Sequence, residues 1–368
     1  MKAKKLLVST EQQKYPILIG SGLISNLKKI IKNESINYMK CLIVVDKNIS
    51  KKKINIIKKE LNNQKVYTHY IVANEKNKNQ KTTNKILEIL LKKNFSREDI
   101  IISVGGGITG DITGYAASLF KRGLKFINIP TTLLAQVDSS IGGKTGVNTK
   151  YGKNLIGSFY QPKLVVSDIG FLNTLPKREI ICGYGEILKH SLISNKNFFQ
   201  FLNKNFEKIF KFKSPHIEKT IYESCKIKKK VVEKDEKEKN IRKILNFGHT
   251  FAHAYEATLN FSKKLNHGEA VILGMTTALK FSKSNNFLPL KDFEIITNHI
   301  KSFNLPNDIK KYFSLKDVKK IVSFMGNDKK NITNKINLIL LKKIGSPLIY
   351  KKFDDKKLRI FLNKELSN

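Results

Sequence analysis

The 368-residue chain has no tryptophan, three cysteines, eight prolines and only five arginines, set against 64 lysines. Cys41, Cys182 and Cys225 are odd in number, far apart and outside any CxxC pair. That excludes a disulfide framework or a cysteine-built metal knuckle and leaves free structural thiols, as expected in a reducing cytosol. No run of about eighteen apolar residues is present, so a helical membrane span is not expected. The opening Met1-Lys-Ala-Lys-Lys-Leu-Leu-Val-Ser9 is basic, but its apolar run is too short for a secretion signal, so the expected location is cytoplasmic. Acidic residues are also scarce, 30 against 69 basic ones, giving a formal net charge of +39. Proteins that read nucleic acid usually rely on arginine forks and aromatic platforms. Here the lysines are scattered with Asn and Ile along every segment, the short runs at 51–53 and 228–230 fall in helix-like stretches, and there is no basic tail. The charge therefore reads as a solvated surface that also draws in anions, with no specific nucleic-acid partner.

What is present is concentrated. Three of the seven histidines fall in the stretch from His249 through His253 to His267, with Arg242, Asn246, Gly248, Gly268 and Glu269 around them. Neutral imidazole is the commonest side-chain ligand of divalent metals. His249 and His253 stand i, i+4 and share one face of a helix. Alone such a pair fits an ordinary helix surface; the polar groups crowded around it turn the reading toward a metal centre.

At 368 residues the chain exceeds what one core usually supports, so two domains are expected, divided near Pro176. Residues 1–176 alternate strand and helix patterns, the mark of an α/β, Rossmann-like domain. Strands are expected at Leu6–Ser9, Tyr15–Ile19, Cys41–Val45, Val66–Val72, Ile100–Val104, Phe126–Ile129 and Leu164–Ser167, with helices between them. Residues 177–368 show long helical periodicity and predict a mostly α-helical domain. Helices are expected at Arg178–Ile193, Phe198–Lys211, Ile217–Val232, Thr250–Thr258, Glu269–Ser284, Leu290–Phe303 and Leu315–Phe324, and Ile336–Leu341 is either a strand or a short buried segment.

Gly105-Gly106-Gly107-Ile-Thr-Gly110-Asp111 matches G-x-G-x-x-G between a strand and a helix, where backbone N–H groups can approach a pyrophosphate. It does not occupy the first βα turn, and no acidic residue follows some twenty positions on. Asp46, at the end of an earlier strand, is either the ribose contact or a helix N-cap. From Pro130 to Asn154 hydroxyls, glycines, Asp138, Lys144, Asn148, Lys153 and Asn154 converge in a stretch that reads as a loop cradling phosphate or hydroxyls. Glu186 and Lys189 stand i, i+3 on an otherwise apolar helix, so they read as facing a polar cavity rather than forming a surface pair. One carboxylate with two imidazoles makes a three-ligand divalent site with a position left open.

These blocks, with Lys121-Arg122-Gly123, Phe171-Leu-Asn-Thr174-Leu-Pro, Leu245-Asn-Phe-Gly-His-Thr250, His267-Gly-Glu and Asp328-Lys-Lys, resemble the 3-dehydroquinate synthase family from about Asp46 to Lys330. The resemblance implies that Glu186, His249 and His267 hold zinc or cobalt, so that the second imidazole is His267 and not the helix neighbour His253. It implies an NAD site lined by Asp46, Glu75, Lys78, Gly105, Gly106, Gly107, Asp111, Thr131, Thr132, Asp138, Lys144, Lys153, Phe171 and Thr174. It also implies a sugar-phosphate substrate, 3-deoxy-D-arabino-heptulosonate 7-phosphate, surrounded by Lys144, Lys153, Asn154, Lys189, Lys228, Arg242, Asn246 and His253, with Lys329 or Lys330. Arg122 would reach the phosphate site of a neighbouring subunit in a homodimer. The implied chemistry is transient oxidation, phosphate elimination, reduction, ring opening and an intramolecular aldol closure. Alternatives sharing much of the pattern are a related sugar-phosphate cyclase and a metal-dependent polyol dehydrogenase. Asn74, Asn240 and Gly185 depart from the family pattern. The two asparagines are expected to be tolerated because Asn accepts positive φ, and Gly185 to loosen its helix locally.

Overall fold

The computed structural model describes residues 3–11, 13–62, 64–327 and 335–367. The chain divides into two compact units, one of residues 1–175 and 212–237, the other of residues 176–211 and 238–368. The first unit thus ends its long segment where Pro176 suggested a boundary, but it also takes back one later helix. A single cut after residue 176 does not describe the chain.

The first unit is an α/β layer structure. Its strands are β1 (Lys4–Ser9), β2 (Lys14–Gly20), β3 (Lys40–Asp46), β4 (Lys65–Ile71), β5 (Ile100–Gly105), β6 (Lys125–Pro130), β7 (Lys144–Thr149), β8 (Gly152–Phe159) and β9 (Leu164–Asp168). Helices α1 (Leu27–Asn33), α2 (Lys51–Glu60), α3 (Gln80–Lys92) and α4 (Gly107–Leu119) alternate with them. Seven strands form one sheet in the order β1-β2-β9-β6-β5-β3-β4, parallel except for the β1–β2 pair. Such a sheet is covered on both faces, so its strands read as continuous apolar runs. In β3, Cys41, Ile43 and Val45 join the core on one face, while Leu42 and Val44 join that on the other. From β3 the chain moves outward to β4, then returns to place β5 on β3's other side. Strand order reverses there, and ligands of open α/β sheets bind in the crevice at such a point. β7 and β8 form a separate antiparallel hairpin, where the sequence suggested a loop.

The second unit is mostly helical: α5 (Lys177–Ser194), α6 (Lys196–Phe210), α8 (His249–Thr258), α9 (His267–Ser284), α10 (Leu290–Ser302), α11 (Val318–Asn327) and α12 (Asp355–Ser367). Helix α7 (His216–Lys234) belongs to the first unit, against β1 and β2. Ile336–Leu341 lies in β10 (Lys335–Lys343), paired with β11 (Ser346–Asp354). The sequence pattern missed β11 and α12.

Glycines set how closely the helices of this unit pack. A Cβ on Gly268 would lie 2.1 Å from the Cys182 Cα, and one on Gly274 would lie 2.3 Å from the Gly248 carbonyl oxygen. The start of α9 therefore rests directly on the backbone of α5, and α8 on that of α9. Gly185 belongs to the same contact, since its Cβ would come within 2.9 Å of the Gly268 carbonyl oxygen. It is a close-approach position, not a loosened turn.

Beside it, α5 is pinned through a buried polar chain. The His299 Nδ1–H donates to Asn203 Oδ1 at 2.8 Å, and Tyr184 Oη donates to His299 Nε2 at 2.8 Å, among the rings of Phe199, Phe206 and Phe303. Burial pushes the His299 pKa down to about 4. The unfolded chain, with an imidazole near 6.5, binds more protons between these values, so stability is fully present above about pH 6.5 and declines as pH falls toward 4. From pH 7 to pH 5 this one group is expected to cost about 2 kcal/mol. Denaturant titrations of the wild type and His299→Gln at both pH values measure it: the variant should lose visibly less stability on acidification, and equal losses would rule this origin out.

Candidate active site and metal centre

In the first unit, the end of β3 and the end of β5 lie side by side, with Val45 paired to Val104. Asp46 and the Gly105–Gly107 turn therefore sit at the crevice where strand order reverses. The glycine motif thus lies at this reversal and not at the first βα turn. Gly106 caps α4, whose first N–H groups are unpaired within the helix and face outward with the positive end of its dipole. A Cβ at Gly105 would strike Thr109 Oγ1 at 2.3 Å, and one at Gly107 would approach Ser139 Oγ at 2.9 Å, so the turn is open only because side chains are missing. Asp46 is not a helix cap, since Ser50 precedes α2; its Oδ1 instead accepts the Asn48 N–H at 3.1 Å. Burial raises its pKa, partly offset by the N–H groups of Asn48 and Ala73.

Beside this turn lies a polar network. The buried Lys78 Nζ donates to Asp111 Oδ2 at 2.5 Å and to Asn154 Oδ1 at 2.6 Å. Burial raises the Asp111 pKa, against the opposing pull of Lys78. Lys153 lies 3.5 Å from Glu75, and Asn148 Nδ2 donates to Glu75 Oε2 at 2.7 Å. Lys228 of α7 donates to the Asp138 carboxylate and carbonyl, both at 2.6 Å. Thr131 is buried, and Thr132 Oγ1 accepts the Ala135 N–H at 3.1 Å. Lys144 is exposed at the start of the hairpin. Phe171 does not join the network, for its ring is part of the core. Thr174 is exposed. Arg122 is exposed, and within the described residues its side chain has no hydrogen bond; its φ of 62° follows a Lys121 φ of 46°. Lys329 and Lys330 lie outside the described residues. Asn74 is not at positive φ and Asn240 has φ −131°, so neither departure needs the left-handed region.

The second unit brings Glu186, His249 and His267 together, with one donor atom of each within 4.8 Å of the others. Three elements place them. Glu186 is on α5, 1% exposed. His249 opens α8 just after Gly248, which takes φ 80° and would press a Cβ to 2.6 Å from Met275. His267 opens α9, where Asn266 and Glu269 form a reciprocal capping box. Arg178 then clamps Glu269 at 2.8 Å and 2.5 Å through two nitrogens and donates to the Lys263 carbonyl at 3.0 Å, fixing the loop before His267 to the start of α5.

Within the triad, His249 Nε2 stands 3.6 Å from Glu186 Oε1, while its Nδ1 faces the Phe247 carbonyl at 3.4 Å. Both Glu186 oxygens are buried without a hydrogen bond, although the Lys189 ammonium pairs with one of them. A buried carboxylate facing two imidazole edges in this way fits a divalent cation in its centre. Burial, then the nearby Lys189, His253 and His267, push the His249 pKa well below its usual value, toward the neutral form that ligates. Burial would lower that of His267 too, but the hydrogen bond and charge of Glu256 outweigh it and raise the pKa.

His253 lies one turn along α8 and is exposed, its ring 6.1 Å from that of His267. Arg242 is buried in the short 3₁₀ turn Ile241–Asn246, and Asn246 Nδ2 donates to Glu238 Oε1 at 3.1 Å. Sequence reasoning missed Arg178 and Glu256. The signal for Glu256 was present: it stands three residues after His253 and seven after His249, on one helical face.

An α/β nucleotide-type unit joined to a helical unit bearing a His-His-carboxylate set defines a metal- and dinucleotide-dependent enzyme architecture. Residues 68–182 match the model of the 3-dehydroquinate synthase N-terminal domain, and residues 183–331 that of its C-terminal domain. The chain belongs to the 3-dehydroquinate synthase family. It is 62% identical to the 3-dehydroquinate synthase of Pelagibacter ubique strain HTCC1062 over 363 residues, covering 99% of both chains. It is 38% identical to that of Bartonella quintana strain Toulouse over 375 residues, covering 100% of this chain and 99% of the relative. A solved 2-deoxy-scyllo-inosose synthase shares the fold with a TM-score of 0.89 at 24% identity, over 98% of this chain and 100% of that one.

Proposed function

We propose that the chain converts 3-deoxy-D-arabino-heptulosonate 7-phosphate to 3-dehydroquinate and phosphate, as a carbon–oxygen lyase of the shikimate pathway. Membership of the family across both units carries this reading, and the Glu186, His249 and His267 cluster is the observation that supports it chemically. The fold neighbour 2-deoxy-scyllo-inosose synthase was solved with NAD+ and Co2+. When bound, NAD accepts and returns one hydride, and a zinc or cobalt ion makes a substrate hydroxyl acidic at neutral pH.

The chain's own groups divide the remaining work. The Gly105–Gly107 turn, with Thr131, Thr132 and Asp138, would hold the dinucleotide, and Asp46 would accept from a ribose hydroxyl. Lys78, held between Asp111 and Asn154, orders that wall. Lys144, Lys153, Asn154, Lys228, Arg242, Asn246 and His253 bind the substrate's phosphate and hydroxyls. Their cationic groups stabilise the negative charge that develops as the phosphate leaves. Lys189 pairs with the Glu186 carboxylate and is placed beside the substrate. The chain acts as a homodimer in the cytoplasm, in which the exposed Arg122 of one subunit reaches the phosphate site of the other. The surface charge of +39 attracts anionic substrate rather than addressing nucleic acid.

Turnover of the full chain with NAD and cobalt should release phosphate from the heptulosonate phosphate with no net NADH, and leave glucose 6-phosphate untouched. Stoichiometric NADH without phosphate release would make the chain a dehydrogenase. In the same assay, mixing Arg122→Ala subunits with Lys189→Ala subunits should restore activity through hybrid dimers. Hybrids verified by mass that stay inactive at every ratio would remove Arg122 from a shared site.

A further inference from the structure

Two overlapping ligand sets occupy the second unit. Glu186, His249 and His267 form one; His253, Glu256 and His267 form the other, again with one donor atom from each within 4.8 Å of the rest. Both claim His267, and an imidazole ring offers its two nitrogens in opposite directions. His267 Nδ1 lies 3.2 Å from Glu256 Oε2, a carboxylate only 8% exposed on the same face of α8 as His249 and His253. An ionised carboxylate can only accept a hydrogen bond. The proton of neutral His267 therefore sits on Nδ1, and the lone pair remains on Nε2.

We propose that Glu256 is a positioning residue that fixes the tautomer and ring direction of His267, so that a single divalent ion is taken by Glu186, His249 and His267 and not by the set containing His253. The inference rests on the metal assignment under Proposed function. Glu256 keeps the Nδ1 side of His267 occupied by a hydrogen bond. His253, stacked at 6.1 Å and inclined 24° to His267, is left for substrate. The same helix thus supplies a ligand at its first residue and the orienting group of the third ligand two turns later. Carboxylates behind metal-bound histidines generally raise the ligand's basicity, and their loss costs roughly 10–100-fold in metal affinity.

The experiment is a metal titration of the full-length apo protein. Cobalt binding is followed by visible absorption and zinc binding by competition with a chelator, for wild type, Glu256→Ala, Glu256→Gln, His253→Ala and His249→Ala. One ion per chain is expected in the wild type. Glu256→Ala should bind roughly 10–100-fold more weakly, Glu256→Gln, which keeps an acceptor oxygen, should recover most of that loss, and His253→Ala should bind as the wild type does. Wild-type affinity in Glu256→Ala, two ions per chain, or a loss in His253→Ala matching that in Glu256→Ala would each overturn the inference. Nitrogen-15 spectra of histidine-labelled wild type with zinc give a second reading that needs no variant. They should show His267 protonated at Nδ1 and metallated at Nε2, and the reverse pattern would overturn the proposal even if Glu256→Ala fails to fold. His249→Ala separates the two levels of argument. If it keeps the ion, the ligand assignment itself fails; if it loses the ion while Glu256→Ala does not, only the role of Glu256 fails.

Discussion

Purified His249→Ala is expected to lose tightly held zinc or cobalt and all turnover, whereas His253→Ala should keep a stoichiometric ion and lose turnover alone. The two histidines are one helical turn apart and both rings lie near His267, so proximity does not separate them. Their surroundings do. His249 faces the buried Glu186 at 3.6 Å with its other nitrogen turned to the Phe247 carbonyl. His253 is exposed and has the Glu256 side of His267 beside it. Removing one of three ligands leaves a carboxylate and one imidazole, too few to hold a divalent ion against solvent. Elemental analysis of dialysed protein decides the matter. Stoichiometric metal in His249→Ala, or its loss only in His253→Ala, would reverse the assignment.

The second large effect is expected at a residue with no side chain. Gly268→Ala places a methyl 2.1 Å from the Cys182 Cα and 2.5 Å from its carbonyl oxygen, and both obstacles are backbone. Neither can rotate away, so α9 must move off α5. Overpacking of this kind generally costs about 1–3 kcal/mol and occasionally more, and a backbone obstacle on two helices belongs at or above the upper end. The displacement also separates His267 from Glu186, which sits one turn beyond Cys182. Gly268→Ala should therefore unfold at markedly lower denaturant and bind cobalt more weakly even where it remains folded. A variant with wild-type midpoint and wild-type cobalt affinity would show that the close approach carries no strain. Gly326→Ala is the control, since a Cβ there meets nothing within 4 Å.

Much of this was legible in the residues because each signal was local. The apolar runs of β3, β5, β6 and β9 are nearly continuous since both faces of a parallel sheet are covered, and the helices α5 to α10 follow clear periodicity. The hairpin β7–β8 was hidden because its strands are short, glycine-bearing and largely polar, the composition of a loop; β8 is mostly exposed, so no alternation marks it. Helix α7 reads correctly as a helix, but nothing in its own sequence says which unit its apolar face covers. At the site, the i, i+4 spacing of His249 and His253 reports a shared helix face and not what lies opposite it: Glu186 stands opposite His249, and His267 lies near both rings. The ring that completes the set comes from the start of α9, brought there by Gly268 and the Arg178–Glu269 clamp. Phe171 shows the converse limit: the Phe-Leu-Asn-Thr block is recognisable, yet the ring faces the core.

The excursion of the chain through α7 has a consequence for how this molecule can be cut or recombined. Residues 212–237 return to the first unit after the second has begun, so the polypeptide passes from one unit to the other three times. A gene fragment ending at residue 175 would encode β1 and β2 without the helix that packs on them, and Asp138 without the lysine that neutralises it. The halves are consequently not interchangeable modules on a string. Grafting a foreign catalytic half onto this nucleotide-type half would require three splice points, one after residue 175 and two flanking α7, each joined in register, rather than one.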